Sequence, residues 1–424
     1  MTSSGTVPAD SLAAACSVLR EGEAGDAIDG VVPAFVASPG DVGEAAALLR
    51  AAASHDLAVV PRGSGSRLDW GVPPSRCDLV VDMLRMDAVL EHAAGDLVAR
   101  VQAGARMNYV LGLLAASGQE IALDVPGTAT VGGVVASGLC GPRRLRYGSP
   151  RDLLIGITVV RADGTVAKSG GKVVKNVAGY DVGKLFAGSA GTLGLITEAT
   201  FRLHPLPAAR AFVSTTFPAE ADSAVVAASV VAAANSPLVA SAVELHRPVP
   251  GGPVSVSVLL EGSRDGVAAR SGSMADLVGG ASPTEVSSEP PAWWPWAIEA
   301  DGGTLIRVSF WVSALASVLD AVEAAARDSG TAPAVYGSAG AGVLYLALPP
   351  GEDGVAGFVS SVRGALGRPR GNIVVIAAPA AVRATLAADG GLFGRVPSLD
   401  LMRAVKDQFD PGHRMAPGRF PEGI

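Results

Sequence analysis

The sequence is poor in cysteine, in aromatic residues and in charge. Three cysteines stand in 424 residues, aromatics make up 5%, and Asp, Glu, Lys and Arg together make up 17%. Cys16, Cys77 and Cys140 are scattered singly, which excludes a disulfide framework and the clustered ligands of zinc or iron–sulfur centres. Basic residues are outnumbered, and the net charge of −7 argues against nucleic acid as the main partner. Long apolar runs are missing too. The longest tract, Ala224–Ala234 (AVVAASVVAAA), falls short of the roughly 18 apolar residues a spanning helix needs, so no transmembrane segment is expected. The N-terminus lacks the basic start and apolar core of a signal peptide. A cytoplasmic, metal-free chain follows as the expectation. The 49% hydrophobic content is instead enough for two or three packed domains.

Residues 36–60 read as a strand or turn, a helix and a strand, with Asp41 placed to cap the helix VGEAAALLRAAASH. DLVVDM (78–83) and LVARVQAG (97–104) add strands, and MNYVLGLLAASG (107–118) has helical spacing. LIGITVVRADGTV (154–166) is a hairpin by its two β-rich runs around Ala-Asp-Gly. LHPLP (203–207) marks a boundary. Beyond it come ARAFVSTTF, a helix at 219–234, LVASAVELH, VSVSVLLEG and a helix at 264–278. Then follow TLIRVSFWV, a helix at 314–328, APAVYGS, GVLYLAL, a helix near 355–366 and NIVVIAA. That is close to a duplicated ferredoxin-like plan with antiparallel sheet. The first unit's closing strand is obscured by TEVSSEPPAWWPW (284–296).

One stretch has little packing value. VVPRGSGSRLDWG (59–71) follows a strand with glycine, hydroxyl and arginine residues. A plain surface loop fits, and so does a cradle whose glycines let backbone N–H groups converge on phosphate oxygens. It is no Walker loop, because Gly-Lys-Ser/Thr is missing, and no dinucleotide fingerprint, because Leu68 stands where a third glycine belongs.

Three further segments decide between these readings: DVPGTATVGGVVASGLCGPRRLRYGSPRD (124–152), KVVKNVAGYDVGKLFAGSAGTLGLITEATFRLHP (172–205) and DQFDPGHRMAPGRF (407–420). In this order they resemble the signatures of the vanillyl-alcohol-oxidase (PCMH) type of FAD-binding flavoproteins, most of all the FAD-binding E subunits of glycolate oxidases. The resemblance is strong over roughly 36–207 and 396–424. It implies an α+β fold: an N-terminal segment (1–35), a two-subdomain PCMH-type FAD-binding domain (36–207), an antiparallel cap domain for substrate or partner (208–395) and a C-terminal return (396–424).

The resemblance also implies the contacts. Pro61, Arg62, Gly63, Ser64, Gly65 and Ser66 would wrap the FAD pyrophosphate, with Arg67 as added charge. Pro126, Gly127, Thr128, Thr130, Val131, Gly132 and Gly133 would form a second wall beside pyrophosphate and flavin, with Ser137 and Gly138 close by. Gly191, Gly194 and Ile196 would meet ribose and adenine. Covalently flavinylated relatives carry histidine around the place held by Ser66, so FAD is expected to be non-covalent. Ala416 replaces the usual asparagine of the closing motif, removing any hydrogen bond from that amide.

Other residues carry two readings. Arg143, Arg144 and Arg146 suit a solvated basic edge or a place near substrate or partner. Asp152 and Asp181 are expected to fix loops, and Tyr180, Trp293–Trp296, His204 and His246 to pack. A 2-hydroxy acid oxidase needs a cation for the carboxylate and a base for the hydroxyl proton. Related catalytic D subunits carry an HxGxGxxH-like cluster in the second domain; the five histidines here have no such spacing. The catalytic set is thus unknown, and Arg307 in TLIRVSFW is the candidate for meeting an anion. The expectation is an FAD-bearing subunit of a glycolate/lactate-type dehydrogenase complex. A D-type flavoprotein and an iron–sulfur subunit would be partners, and they could hold the complex peripherally at the inner face of the membrane. A free-standing FAD oxidoreductase and a flavin scaffold that does not turn over stay open.

Overall fold

A computed structural model describes residues 6–172, 180–280, 282–294, 302–351, 353–367, 371–387 and 390–424. The chain divides into two compact units. One holds Met1–Cys140, Ser149–Leu206 and Val396–Ile424; the other holds Gly141–Gly148 and Pro207–Arg395.

In the first unit, β1 (Leu19–Glu21), β2 (Phe35–Ala37), β3 (Val59–Arg62) and β4 (Leu79–Asp82) form one sheet in the order β1-β2-β4-β3. β2 and β3 both run parallel to β4. The helix Val42–Ser54 makes the crossover, and Asp41 caps it by accepting from the Glu44 N–H at 2.8 Å. A parallel strand buried on both faces reads as an unbroken apolar run. Leu79, Val80 and Val81 accordingly have no exposed surface.

The second sheet of this unit is antiparallel. It uses β5 (Val89–Ala93), β6 (Val98–Gln102), β8 (Leu154–Val160), β9 (Val166–Gly170) and β10 (Leu195–Arg202) in the order β5-β6-β10-β8-β9. The short β7 (Gln119–Glu120) and β11 (His204–Pro205) pair separately. β8 and β9 are the hairpin that LIGITVVRADGTV announces, turning at Asp163 and Gly164. One core cluster joins the helices Val42–Ser54, Met107–Ala115 and Val131–Ser137 to both sheets.

The second unit carries β12 (Ala209–Phe217), β13 (Ala242–Arg247), β14 (Val254–Gly262), β15 (Thr284–Ser287), β16 (Thr304–Phe310), β17 (Ala334–Gly337), β18 (Val343–Leu348) and β19 (Gly371–Ala377). They form one sheet in the order β15-β12-β14-β13-β17-β18-β16-β19. Each half is strand-helix-strand-strand-helix-strand, and β13 pairs antiparallel with β17 to join them. This is the duplicated ferredoxin-like plan. The closing strand of the first half is β15, TEVS, an exposed edge paired, among the described residues, with β12 alone. Its polar, exposed side chains give no apolar alternation to read.

Register separates the two sheet faces. Val213, Val256, Val243 and Leu245 point to one face, are buried, and meet the helices of the unit. The other face is polar: Ser214 and Ser257 share a hydrogen bond of 2.9 Å, and Thr216 and Ser255 one of 3.0 Å.

Candidate functional site

Three segments predicted to bind FAD converge in the first unit. The first leaves β3, and its Gly63 abuts the second: a Cβ there would collide with Thr130 Oγ1. The third touches the first at Gly191, where a Cβ would lie 3.2 Å from the Pro61 ring. The second and third are stitched together as well. Gly188 N–H donates to Val135 at 2.9 Å and Ala190 N–H to Ala136 at 2.8 Å.

Backbone donors remain unspent at this junction. The N–H groups of Gly63, Ser64, Gly65 and Ser66 have no acceptor among the described residues, nor do those of Gly127 and Thr128. Successive free N–H groups beside glycine form an anion-binding concavity. Gly65 needs its left-handed φ of +79°, and a side chain there would meet only Leu68 at 3.8 Å. Ala190 and Gly191 are both left-handed, at φ +49° and +79°. The adjacent Ser189 Oγ is buried without a partner among the described residues.

Other predicted contacts are engaged within the protein. Val131 and Gly132 N–H groups donate to Ala105 and Ala103 carbonyls, at 2.9 and 2.7 Å. Gly133 N–H donates to Thr130 Oγ1, the cap of Val131–Ser137. Ser137 Oγ donates to the Gly133 carbonyl at 2.7 Å, and Gly138 ends that helix left-handed. Gly194, at φ +152°, lets the chain pass the Val160 carbonyl, and Ile196 is buried in β10. Pro126 accepts from Ala129 N–H.

The arginines behave differently from a simple phosphate clamp. Arg62 turns its guanidinium inward, to Asp26 Oδ1 at 3.0 Å and Asp82 Oδ2 at 2.9 Å. Only its backbone is left for a ligand. Arg67 donates to the Ser66 carbonyl at 2.7 Å and lies 5.0 Å over the Trp70 ring. Sequence reasoning missed Asp26 and Asp82, since nothing local marks partners 36 and 20 residues away.

Asp26 also binds Arg20, whose hydrogen bond, foremost among several causes, holds its carboxyl well below the usual carboxylate range. Its pKa falls on folding, so its stabilisation is complete above the unfolded value of about 4 and is lost as pH drops toward the folded one. Asp26→Asn should therefore lower stability at pH 6, with the difference shrinking below about pH 4. Urea midpoints at both pH values measure this, and a constant difference would contradict it.

The C-terminal return completes the first unit. Val59 N–H donates to Arg414 and Ala416 N–H to Val59, both at 2.8 Å, so the tail extends the sheet beside β3. Arg419 donates to the carbonyls of Leu68 and Trp70, at 2.9 and 2.5 Å, and braces the glycine loop. Ala416 is fully buried at φ +42°. Beneath it Lys406 Nζ donates to Thr192 O, Asp410 Oδ2 and Met415 O, at 2.7, 2.7 and 2.8 Å. Burial lowers the pKa of Lys406 while Asp410 opposes that shift. KDQFDPG reads as a surface pair, so this lysine escapes sequence analysis.

Several remaining expectations can be placed. Asp152 forms a capping box with Ser149, and Asp181 pairs with Lys184 at 2.9 Å. Tyr180 is 93% exposed rather than packed. Lys175–Gly179 of KNVAGYD, and Pro295 and Trp296 of WWPW, lie outside the described residues. In the second unit Trp294 packs on Phe212, Ala242 and Leu259, and His246 stacks on Trp293 at 5.2 Å. Burial pushes the His246 pKa down, and burial pushes the Cys77 thiol up to about 12. The GPRR segment clusters with the second unit: Arg143 is buried 3.5 Å from Glu261, which also binds Arg210 at 2.9 Å and Tyr147 at 3.3 Å. Among the described residues no group of His, Cys, Asp and Glu converges as a metal site, and no helix is long and apolar enough to cross a membrane.

The family model described as the FAD binding domain matches residues 33–170. That stretch of the chain thus carries an FAD-binding domain of the PCMH type. It is 37% identical over 178 residues to "Glycolate oxidase subunit GlcD" of Bacillus subtilis (strain 168), covering 42% of this chain and 38% of that protein. It is 35% identical over 161 residues to "Glycolate oxidase subunit GlcE" of Escherichia coli (strain K12), covering 37% of this chain and 45% of that one. These matches thus span less than half of either relative. Among solved structures, p-cresol methylhydroxylase with substrate bound aligns at a TM-score of 0.74, with 15% identity over 99% of this chain and 97% of that one. At that identity the likeness concerns the fold alone.

Proposed function

We propose that the chain is the FAD-bearing subunit of a glycolate- or lactate-type 2-hydroxy acid dehydrogenase complex. The observation that carries this reading is the junction of 61–66, 126–133 and 188–196, with its run of unspent N–H groups. Two phosphates need several converging donors at close backbone approach, and glycine alone permits that approach. Residues Gly63–Ser66 and Gly127–Thr128 would hold the pyrophosphate, and Gly191 would set the third side. When bound, FAD supplies the redox chemistry, and the protein supplies position and field. Ser66 offers no attachment nucleophile of the histidine kind, so the cofactor is held without a covalent bond.

The same reading assigns a D-type flavoprotein and an iron–sulfur subunit as partners, in the cytoplasm or at the inner membrane face through them. The similarity to both glycolate oxidase subunits supports a multi-subunit setting. The histidine spacing expected of a catalytic D subunit is missing from the sequence.

Gly65→Val tests the cradle. A branched residue at φ +79° costs about 1–2 kcal/mol, and its side chain enters the space facing the free donors. The expected result is folded, colourless protein. Folded protein that stays yellow would contradict the assignment.

A further inference from the structure

Arg307, the cation that the sequence singles out, stands in β16 of the second unit, opposite Tyr345. A different pair of charges lies in the first unit. A cavity of about 270 Å³ opens beside the start of the helix Met107–Ala115, lined by Leu84, Asp87, Gly104, Arg106 and Tyr109. Its walls are held from behind. Met86, Met107 and Val110 are fully buried in one core cluster, and Gly104 N–H donates to the Met86 carbonyl at 2.8 Å. A Cβ at Gly104 would run into the Met83 carbonyl, so only glycine lets the chain leaving β6 pass this turn.

The two charges that line the cavity do not meet. Asp87 and Arg106 form no ion pair with each other, and the Asp87 carboxylate makes no hydrogen bond among the described residues. One N–H of the Arg106 guanidinium goes to the Thr128 carbonyl at 3.3 Å. Its other donors have no acceptor among the described residues. Arg106 and Tyr109 stand three apart at the helix start, hence on one side of it, and Tyr109 is 56% exposed. A cation, a carboxylate, an aromatic ring and the apolar Leu84 thus border one hollow.

We propose that this cavity binds an aromatic α-amino acid, with its carboxylate on Arg106, its ammonium on Asp87 and its ring against Tyr109 and Leu84. A guanidinium takes a carboxylate as a fork, and a carboxylate accepts strongly from an ammonium. One aromatic ring favours another beside it. A ligand of a single sign would answer one wall and be repelled by the other, whereas a zwitterion complements both. The site stands apart from the cofactor reading, since none of its five residues belongs to the segments assigned to FAD.

Calorimetric titration of the full chain as purified with L-phenylalanine tests the site, and phenylacetate and phenethylamine each delete one charge from the probe. Phenylalanine is expected to bind once, in the millimolar range or tighter. Each one-charge analogue should bind about fivefold more weakly, the factor that a good exposed ion pair is worth. Arg106→Gln and Asp87→Asn should each weaken phenylalanine by about fivefold with melting unchanged. Asp87→Asn should leave phenylacetate bound no more weakly than wild type does, which a general loss of structure would not produce. Added FAD should not displace the amino acid. Wild type that binds no phenylalanine, analogues or variants that bind as tightly, or displacement by FAD would overturn the proposal.

Discussion

Replacing Lys406 by methionine is expected to destabilise the first unit by about 3–5 kcal/mol, the cost of breaking a buried ion pair from one side. Lys406 and Asp410 are both fully buried, 2.7 Å apart. Without the ammonium, the Asp410 carboxylate keeps one donor, the Met415 N–H at 2.7 Å, while its Oδ1 has none. The carbonyls of Thr192 and Met415 lose theirs as well. Asp410→Asn in the methionine background should recover part of the loss, because a buried amide is cheaper than a buried charge. Urea unfolding of the two variants measures this. A loss below about 1 kcal/mol would mean a solvated pair. Thr192 lies in the turn that holds Gly191, so FAD affinity should fall together with stability.

Gly63→Ala should have the second large effect. The new methyl group would lie far inside van der Waals contact with Thr130 Oγ1, so either the loop or Thr130 must move. Thr130 is buried and caps the helix Val131–Ser137. Its displacement loses the cap and overpacks the junction, about 1–3 kcal/mol in all. The loops that present the free donors part at the same point. FAD affinity is expected to drop by about a hundredfold or more, ~2.7 kcal/mol. Fluorescence titration of the stripped variant with FAD provides the measurement; wild-type affinity would show that the two loops do not act together.

Local signals carried much of this fold. The 3.6-residue spacing of Leu315–Ser329 and the alternation of VSVSVLLEG are both realised. One compact unit runs up to Leu206 and the other resumes at Pro207. The glycine loops were legible because glycine at a close approach leaves a residue-level trace. Side-chain commitments were not. Arg62 looks like a phosphate ligand until Asp26 and Asp82 are brought beside it. Arg143 looks solvated until β14 delivers Glu261, more than a hundred residues later in the chain. β15 was hidden because an edge strand with exposed TEVS needs no apolar face. Such pairings depend on tertiary proximity, which sequence spacing does not record.

On the proposed function, the junction of glycine loops in the first unit holds FAD without a covalent tether. Acid precipitation of the purified protein, followed by chromatography of the supernatant, tests it directly. One equivalent of FAD in the supernatant and a colourless pellet is the predicted result. A yellow pellet would contradict the non-covalent hold, and a folded chain that contains no flavin and takes up none on addition would contradict the site itself.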